Sequence, residues 1–282
     1  MKIFATILAI VITSTAFVVL SGCEGEGGGS EPQNISLTGT DYGRAVLLAW
    51  EEPVEGTPNS YLIYFRELTE TDFQLVATID ADSLEHTHNP NELTGDYYVA
   101  AEFGSTEYAS DTTTTIPVHT DALTLSELNA PGDQGYGWAT TGDFTGATYA
   151  ITVTTNDSLI DFYITNFMND STGGPWPTPW CIASPDTVIN DPGGVLVPQA
   201  DWRQTWFSDP LLDPQEILPN FAPTTYRKAR SGIENDTTYI GVYLDAVQHY
   251  GLVKFYGIDT TIGTINVESW FQAVQGLRLM AH

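Results

Sequence analysis

From Ala45 to Ala101 the chain is a succession of short apolar runs with alternating character, each closed by a turn signal. Ala45-Val46-Leu47-Leu48-Ala49-Trp50 stops at Glu51-Glu52-Pro53. Ser60 to Arg66 and Phe73 to Thr78 follow, and Asp96-Tyr97-Tyr98-Val99-Ala100-Ala101 comes after Thr94-Gly95. A Ser/Thr-rich run ends the series at Ile116-Pro117-Val118. Side chains alternate between the faces of a strand with period two, whereas a helix repeats at about 3.6 residues. The spacing therefore predicts a set of half-buried strands joined by short connections.

The landmarks of this stretch are Pro32, Leu48-x-Trp50-x-x-Pro53, Tyr61-x-Ile63-Tyr64 and Tyr97-x-Val99-x-Ala101. In that order they resemble a fibronectin type III domain, and the resemblance covers residues 33–118. It implies that Trp50 fills the core between two sheets and that the Tyr97 strand packs against it. It also implies a spacer or docking role, because in bacterial surface proteins such modules mostly serve that purpose. No Arg-Gly-Asp tripeptide occurs, so integrin recognition is not implied. Trp50, Tyr61, Tyr64 and Tyr97 read as core. His86 and His88 stand two apart, the spacing that puts two imidazoles on one face of a strand. No third ligand lies nearby, and they read as solvated loop histidines.

Residues 119–282 also read as β. Candidate strands are Ala147 to Thr154, Ser158 to Phe167, Gly194 to Ala200, Thr238 to Gln248, Gly251 to Ile258, Gly263 to Val267 and Ser269 to Leu279. Asn156-Asp157 and His249-Tyr250 fall where hairpin turns are expected. The whole chain is thus expected to be all-β: a fibronectin type III-like β-sandwich followed by a second, larger antiparallel β-sandwich or jelly-roll-like domain. Hydrophobic content of 42% with 12% aromatic residues supplies the cores this needs.

The middle of the second region, Asn169 to Arg230, is rich in Pro, Trp and Asp and reads as loop-dominated. Long loops in compact domains are often functional, which makes this the first place to seek a binding site. Trp176, Trp180, Trp202 and Trp206 lie there with Asp201, Arg203, Gln204 and Asp209 beside them. Flat rings flanked by carboxylates and amides are what a glycan-binding surface uses. The rigid Trp176-Pro177-Thr178-Pro179-Trp180 is not expected to bury both indoles easily. The bland alternative is that the four indoles pin the loop onto the sandwich.

Other chemistry finds little support. No Gly-x-Ser-x-Gly elbow, His-Glu-x-x-His or Gly-rich phosphate loop is present. A β-sandwich hydrolase would need two converging carboxylates, and among 36 acids any pair is trivial to draw. Asp186, Asp191, Asp201, Asp209 and Asp213 would be the residues to hold Ca²⁺, but they lack the spaced Asp-x-Asp-x-Asp pattern. The tail from Tyr239 to Leu279 has a faint resemblance to β-rich haem-scavenging lipoproteins. The axial ligands available for haem are His119, His249, His282, Met168 and Met280. No cofactor is expected.

At the amino terminus, Lys2 precedes Ile3 to Leu20, an 18-residue run without charge. Leu20-Ser21-Gly22-Cys23 then resembles the lipobox of bacterial lipoprotein signal peptides. The resemblance implies cleavage before Cys23 and acylation of its thiol and amino group. It makes 1–22 a signal peptide and Cys23 a membrane anchor in the cell envelope. In that family an Asp after the cysteine favours the inner membrane, so Glu24 implies the outer membrane. Residues 23–32, with Glu24-Gly25-Glu26-Gly27-Gly28-Gly29-Ser30-Glu31, read as a flexible tether.

With Cys23 assigned to lipid, Cys181 has no partner and reads as a small buried hydrophobe. Acids outnumber Lys plus Arg by 36 to 9, for a net charge of −27. Such a field repels DNA, RNA and anionic lipid, so nucleic acid is excluded as a partner. The expected function is that of a noncatalytic, lipid-anchored envelope or surface protein. Its first domain is a spacer and its second binds a glycan, another ligand or an envelope protein.

Overall fold

The computed structural model describes residues 28–166, 174–187, 202–219, 222, 224–234 and 236–282. No helix among the described residues is long and apolar enough to cross a membrane. Cys23, Asp191, Asp201, Met168 and the expected strand 194–200 lie outside the described residues.

The first sandwich contains β1 (Gln33–Thr40), β2 (Ala45–Glu51), β3 (Ser60–Glu67), β4 (Gln74–Asp80), β5 (Glu85–His88), β6 (Gly95–Phe103), β7 (Thr106–Ala109) and β8 (Thr113–Thr114). One sheet has the order β1-β2-β5, and the other β4-β3-β6-β7 with β8 also on β6. Every pairing is antiparallel. This fibronectin type III-like arrangement follows from the period-two pattern: Val46, Leu48 and Trp50 face Tyr61, Ile63, Tyr97, Val99 and Ala101 across the core. Trp50 meets Tyr61 edge-on at 5.3 Å between ring centroids. His86 and His88 belong to β5, not to a solvated loop, and both are half-buried.

The second sandwich contains β9 (Val118–Ser126), β10 (Gly135–Trp138), β11 (Gly146–Tyr149), β12 (Phe162–Thr165), β13 (Trp180–Ala183), β14 (Thr205–Phe207), β15 (Ala229–Ile233), β16 (Thr238–Leu244), β17 (His249–Asp259) and β18 (Thr264–Gln272). Its sheets have the orders β11-β10-β12-β13-β15 and β14-β16-β17-β18-β9. Trp138, Phe162, Trp180, Phe207, Phe255 and Phe271 fill the space between them. One polar tie crosses that apolar layer. Ser269 Oγ lies 2.6 Å from the Tyr136 hydroxyl and accepts the Trp138 indole N–H at 2.9 Å. At one corner Phe207 of β14 pairs with Arg227, two residues before β15 joins the opposite sheet.

Several expected strands and turns are corrected. Asn156-Asp157 does not turn a hairpin, because β10 lies between β11 and β12. The connecting segment instead crosses the outer face of the sheet, where Ile151 and Ile160 pack on Tyr163. Gly137 leaves the room for it, since a Cβ there would overlap the Leu159 carbonyl. The turn between β16 and β17 occupies 245–248 and leaves Tyr250 fully buried inside a strand. The two strands expected from Gly263 onward are one, β18, ending at Gln272. Asn169 to Arg230 is less loop-dominated than expected, for β13, β14 and the start of β15 lie within it.

The two sandwiches meet at one end of the first. The carboxyl end of β8 leads through residues 115–117 directly into β9. The opposite end of the first sandwich bears the β2–β3 loop and the β6–β7 turn. There the expected flexible tether is docked from Gly28 onward. Ser30 Oγ accepts the Glu55 N–H at 3.0 Å, and a Cβ on Gly29 would fall 2.7 Å from the Phe103 ring.

Candidate functional site

The four indoles do not form a platform. Trp180 is fully buried on β13 and donates its indole N–H to the Trp176 carbonyl at 3.1 Å. Trp176 is buried against Ala130 and Gly263, its backbone N–H donating to the Thr260 carbonyl at 2.7 Å. Both are buried because Pro177 and Pro179 take the solvent side. Trp202 is buried over Ile160, Tyr163 and Ala183. Trp206 is half-buried, with Lys228 Nζ 5.3 Å from its ring centroid. The expected sugar-facing surface is therefore corrected: these rings hold chain segments onto the outer and inner faces of the sheets.

A different constellation stands where the sheets of the second sandwich part, beside the β16–β17 turn. A cleft of about 70 Å³ is lined by Thr140, Gln204, Leu244, Ala246 and Val247 around the pair Asp161–Arg203. Asp161 precedes β12 and is fully buried. Its Oδ2 accepts the Trp138 backbone N–H at 2.8 Å. Arg203 Nη1 donates to both carboxylate oxygens at 3.0 Å and to the Trp138 carbonyl at 3.1 Å. Burial pushes the Asp161 carboxyl up to about 6, against the opposing pull of Arg203 and the Trp138 N–H. Arg203 and Gln204 were legible as flanking polar residues; Asp161 was missed. Its signal was a lone acid inside Leu159-Ile160-Asp161-Phe162-Tyr163-Ile164, a run otherwise apolar.

Chemically the pair can hold or release a proton at one buried carboxylate. The cleft is far smaller than the roughly 300–1,000 Å³ of ordinary ligand pockets. Among the described residues Asp161 is the single carboxylate lining it, so they do not assemble the geometry for two-carboxylate hydrolysis there.

The remaining candidates are dispersed. Asp186 accepts from Ser184 Oγ at 2.6 Å and pairs with Lys228. Asp209 pairs with Arg230 at 3.1 Å, and Asp213 is exposed. No group of three metal-ligating side chains occurs among the described residues. His119 stacks on Trp270 and lies 2.9 Å from Glu268 Oε1, while the His282 ring lies 4.2 Å from Trp270 between centroids. His249 packs instead against Phe271, and Met280 is buried beneath the outer cover of the sheet.

No family model and no curated protein matches the chain. Among solved structures, a DUF4466 family protein from Parabacteroides merdae is 10% identical, with 85% of this chain and 99% of that one covered at a TM-score of 0.38. The fn3 domain of human collagen alpha-1(XX) chain is 16% identical and covers 33% of this chain and 87% of its own, at a TM-score of 0.26. The fn3 domain of human contactin 1 is 12% identical over 37% of this chain and 90% of its own, also at 0.26. These scores are too low to support an argument, and the fold assignment rests on strand order and core packing.

Proposed function

We propose that this chain is a noncatalytic lipoprotein of the bacterial cell envelope, anchored through Cys23. Its first sandwich serves as spacer and its second as the partner- or ligand-binding part. The observation that supports this reading is the placement of the two attachments. Gly28–Ser30 leaves the first sandwich beside Glu55 and Phe103, and the second sandwich joins at the other end, beyond β8. β6 spans that distance with nine residues, Gly95–Phe103, or about 30 Å at some 3.3 Å per residue. A spacer needs this geometry, whereas a module with both attachments at one end would add little reach.

Feeding cells a fatty acid with a clickable tail tests the anchor. Wild-type protein is expected to take the label and enter the detergent phase, and Cys23→Ala to do neither. Equal labelling of the two would overturn the anchor. Energy transfer from a bilayer dye to labelled Val54→Cys and Ile262→Cys tests the spacer. The label at 54 should lie at least about 30 Å nearer the lipid; equal distances would end the spacer reading.

A further inference from the structure

The carboxyl-terminal residues do not stop where their own sandwich does. After β18 the chain runs back along the first sandwich, and Val274, Leu277 and Leu279 enter the same buried cluster as Val46, Leu48, Trp50 and Tyr97. The contact is close at backbone level. Gly39 donates its N–H to the Gln275 carbonyl at 2.8 Å, and a Cβ on Gly39 would overlap the Gly276 carbonyl.

Two polar side chains fasten this strap. Gln272 is fully buried, and both its amide protons and its carbonyl oxygen find partners. Nε2 donates to the Thr115 carbonyl at 2.9 Å and to the Leu279 carbonyl at 2.8 Å, while Oε1 accepts the Val274 N–H at 3.0 Å. One side chain thus ties β18, the strap and the link between sandwiches. Arg278, also buried, donates from Nε to the Tyr42 carbonyl at 2.5 Å and from Nη1 to the Leu218 carbonyl at 2.6 Å. Its own N–H reaches the Gly43 carbonyl at 2.9 Å. The Tyr42 and Gly43 carbonyls sit in a left-handed loop: Asp41, Tyr42 and Gly43 have φ of 48°, 56° and 77°. Non-glycine residues rarely take that conformation without a compensating contact. Here the contact is the strap. Thr94 Oγ1 then donates to the Ala281 carbonyl at 2.7 Å.

We infer that the last nine residues, 274–282, are a closing strap that completes the core of the first sandwich. The amino-terminal sandwich therefore becomes stable only when residues 274–282 are in place, and the two sandwiches unfold as one unit. A chain cut short before Val274 keeps its anchor sequence but leaves the first core open at the junction. Such a chain is a substrate for proteolysis. This inference does not depend on the proposed anchoring.

Hydrogen exchange on the whole chain tests it. Amides of β2, β3 and β6 should exchange roughly tenfold faster or more in Leu277→Ala and Gln272→Ala, because truncation opens a cavity or strands buried partners. Leu212→Ala, at a site 90% exposed, should leave them unchanged. Faster exchange confined to the strap, with β2, β3 and β6 untouched, would overturn the inference. The unmodified chain gives a second reading that needs no variant. Amides of both sandwiches should lose protection at one urea midpoint, and two separate midpoints would refute the single unit.

Discussion

His88 Nδ1 lies 2.9 Å from the Tyr97 hydroxyl, under the ring of Phe65, at the junction end of the first sandwich. Burial, with a further push from His86, lowers the His88 imidazole to about 4. Free histidine titrates near 6.5, so the unfolded chain binds the proton first on acidification. Stability from this site is complete above about pH 6.5 and is lost as pH falls towards 4. Asp161 acts in the opposite sense, because its folded value of about 6 exceeds its ordinary 3.8 and acid favours the folded form between them. Urea titrations from pH 7 to 4 should show stability falling as His88, His86 and His249 take up protons, with Asp161 offsetting part of the fall. In His88→Asn the falling limb should become shallower but not vanish, since burial also lowers His86 and His249; if it persists unchanged, His88 is not among its sources.

The Asp161–Arg203 pair should behave as a coupled unit. Asp161→Ala strands the Trp138 N–H and a guanidinium, and Arg203→Met leaves a fully buried carboxyl without its cation. Breaking such a pair from one side costs about 3–5 kcal/mol. The double variant should cost less than the sum of the singles by more than about 1 kcal/mol in denaturant unfolding. Simple additivity would show the two groups to be energetically independent.

Ser269→Ala removes the hydroxyl that meets Tyr136 and accepts from Trp138. The Trp138 indole N–H left without its acceptor costs about 1–3 kcal/mol in a dry interior. Part of the loss should be recovered in Ser269→Ala combined with Tyr136→Phe, which deletes the hydroxyl that faced Ser269. Thermal unfolding measures both, and no recovery would mean that the hydroxyl contact contributes little.

Cys181 is buried on β13, and burial pushes its thiol up from the ordinary range. A soluble thiol reagent at neutral pH should therefore label it slowly in the native chain and quickly in denaturant. Fast native labelling would place the thiol at the surface.

The first sandwich was largely legible because Leu48-x-Trp50, Tyr61-x-Ile63 and Tyr97-x-Val99 are local, period-two signals. What stayed hidden depends on contacts between distant residues. Asp161 and Arg203 are 42 positions apart, and neither residue's neighbourhood names the other. Gly137 reads as a weak strand residue until the backbone of Leu159 is seen lying on it. Val274, Leu277 and Leu279 extend the apolar pattern of β18, so they read as more strand, although they belong to the core of the other sandwich. Trp176 and Trp180 read as hard to bury because the sequence does not reveal that their intervening prolines face out.

The docking of Gly28 and Gly29 limits how the chain could stand if it were held at a membrane. If Cys23 carries the lipid, only residues 24–27 are left as mooring line, and a few extended residues reach no more than roughly 15–18 Å. The end of the first sandwich nearest that line displays Glu51, Glu52, Glu55 and Glu107, all exposed. Anionic head groups repel such a cluster within a Debye length of about 8 Å at physiological salt. A short line pulling down and like charge pushing up leave little slack for lying flat. Posture on the bilayer is then set by the line's length and by salt, and high ionic strength should let the rod lean.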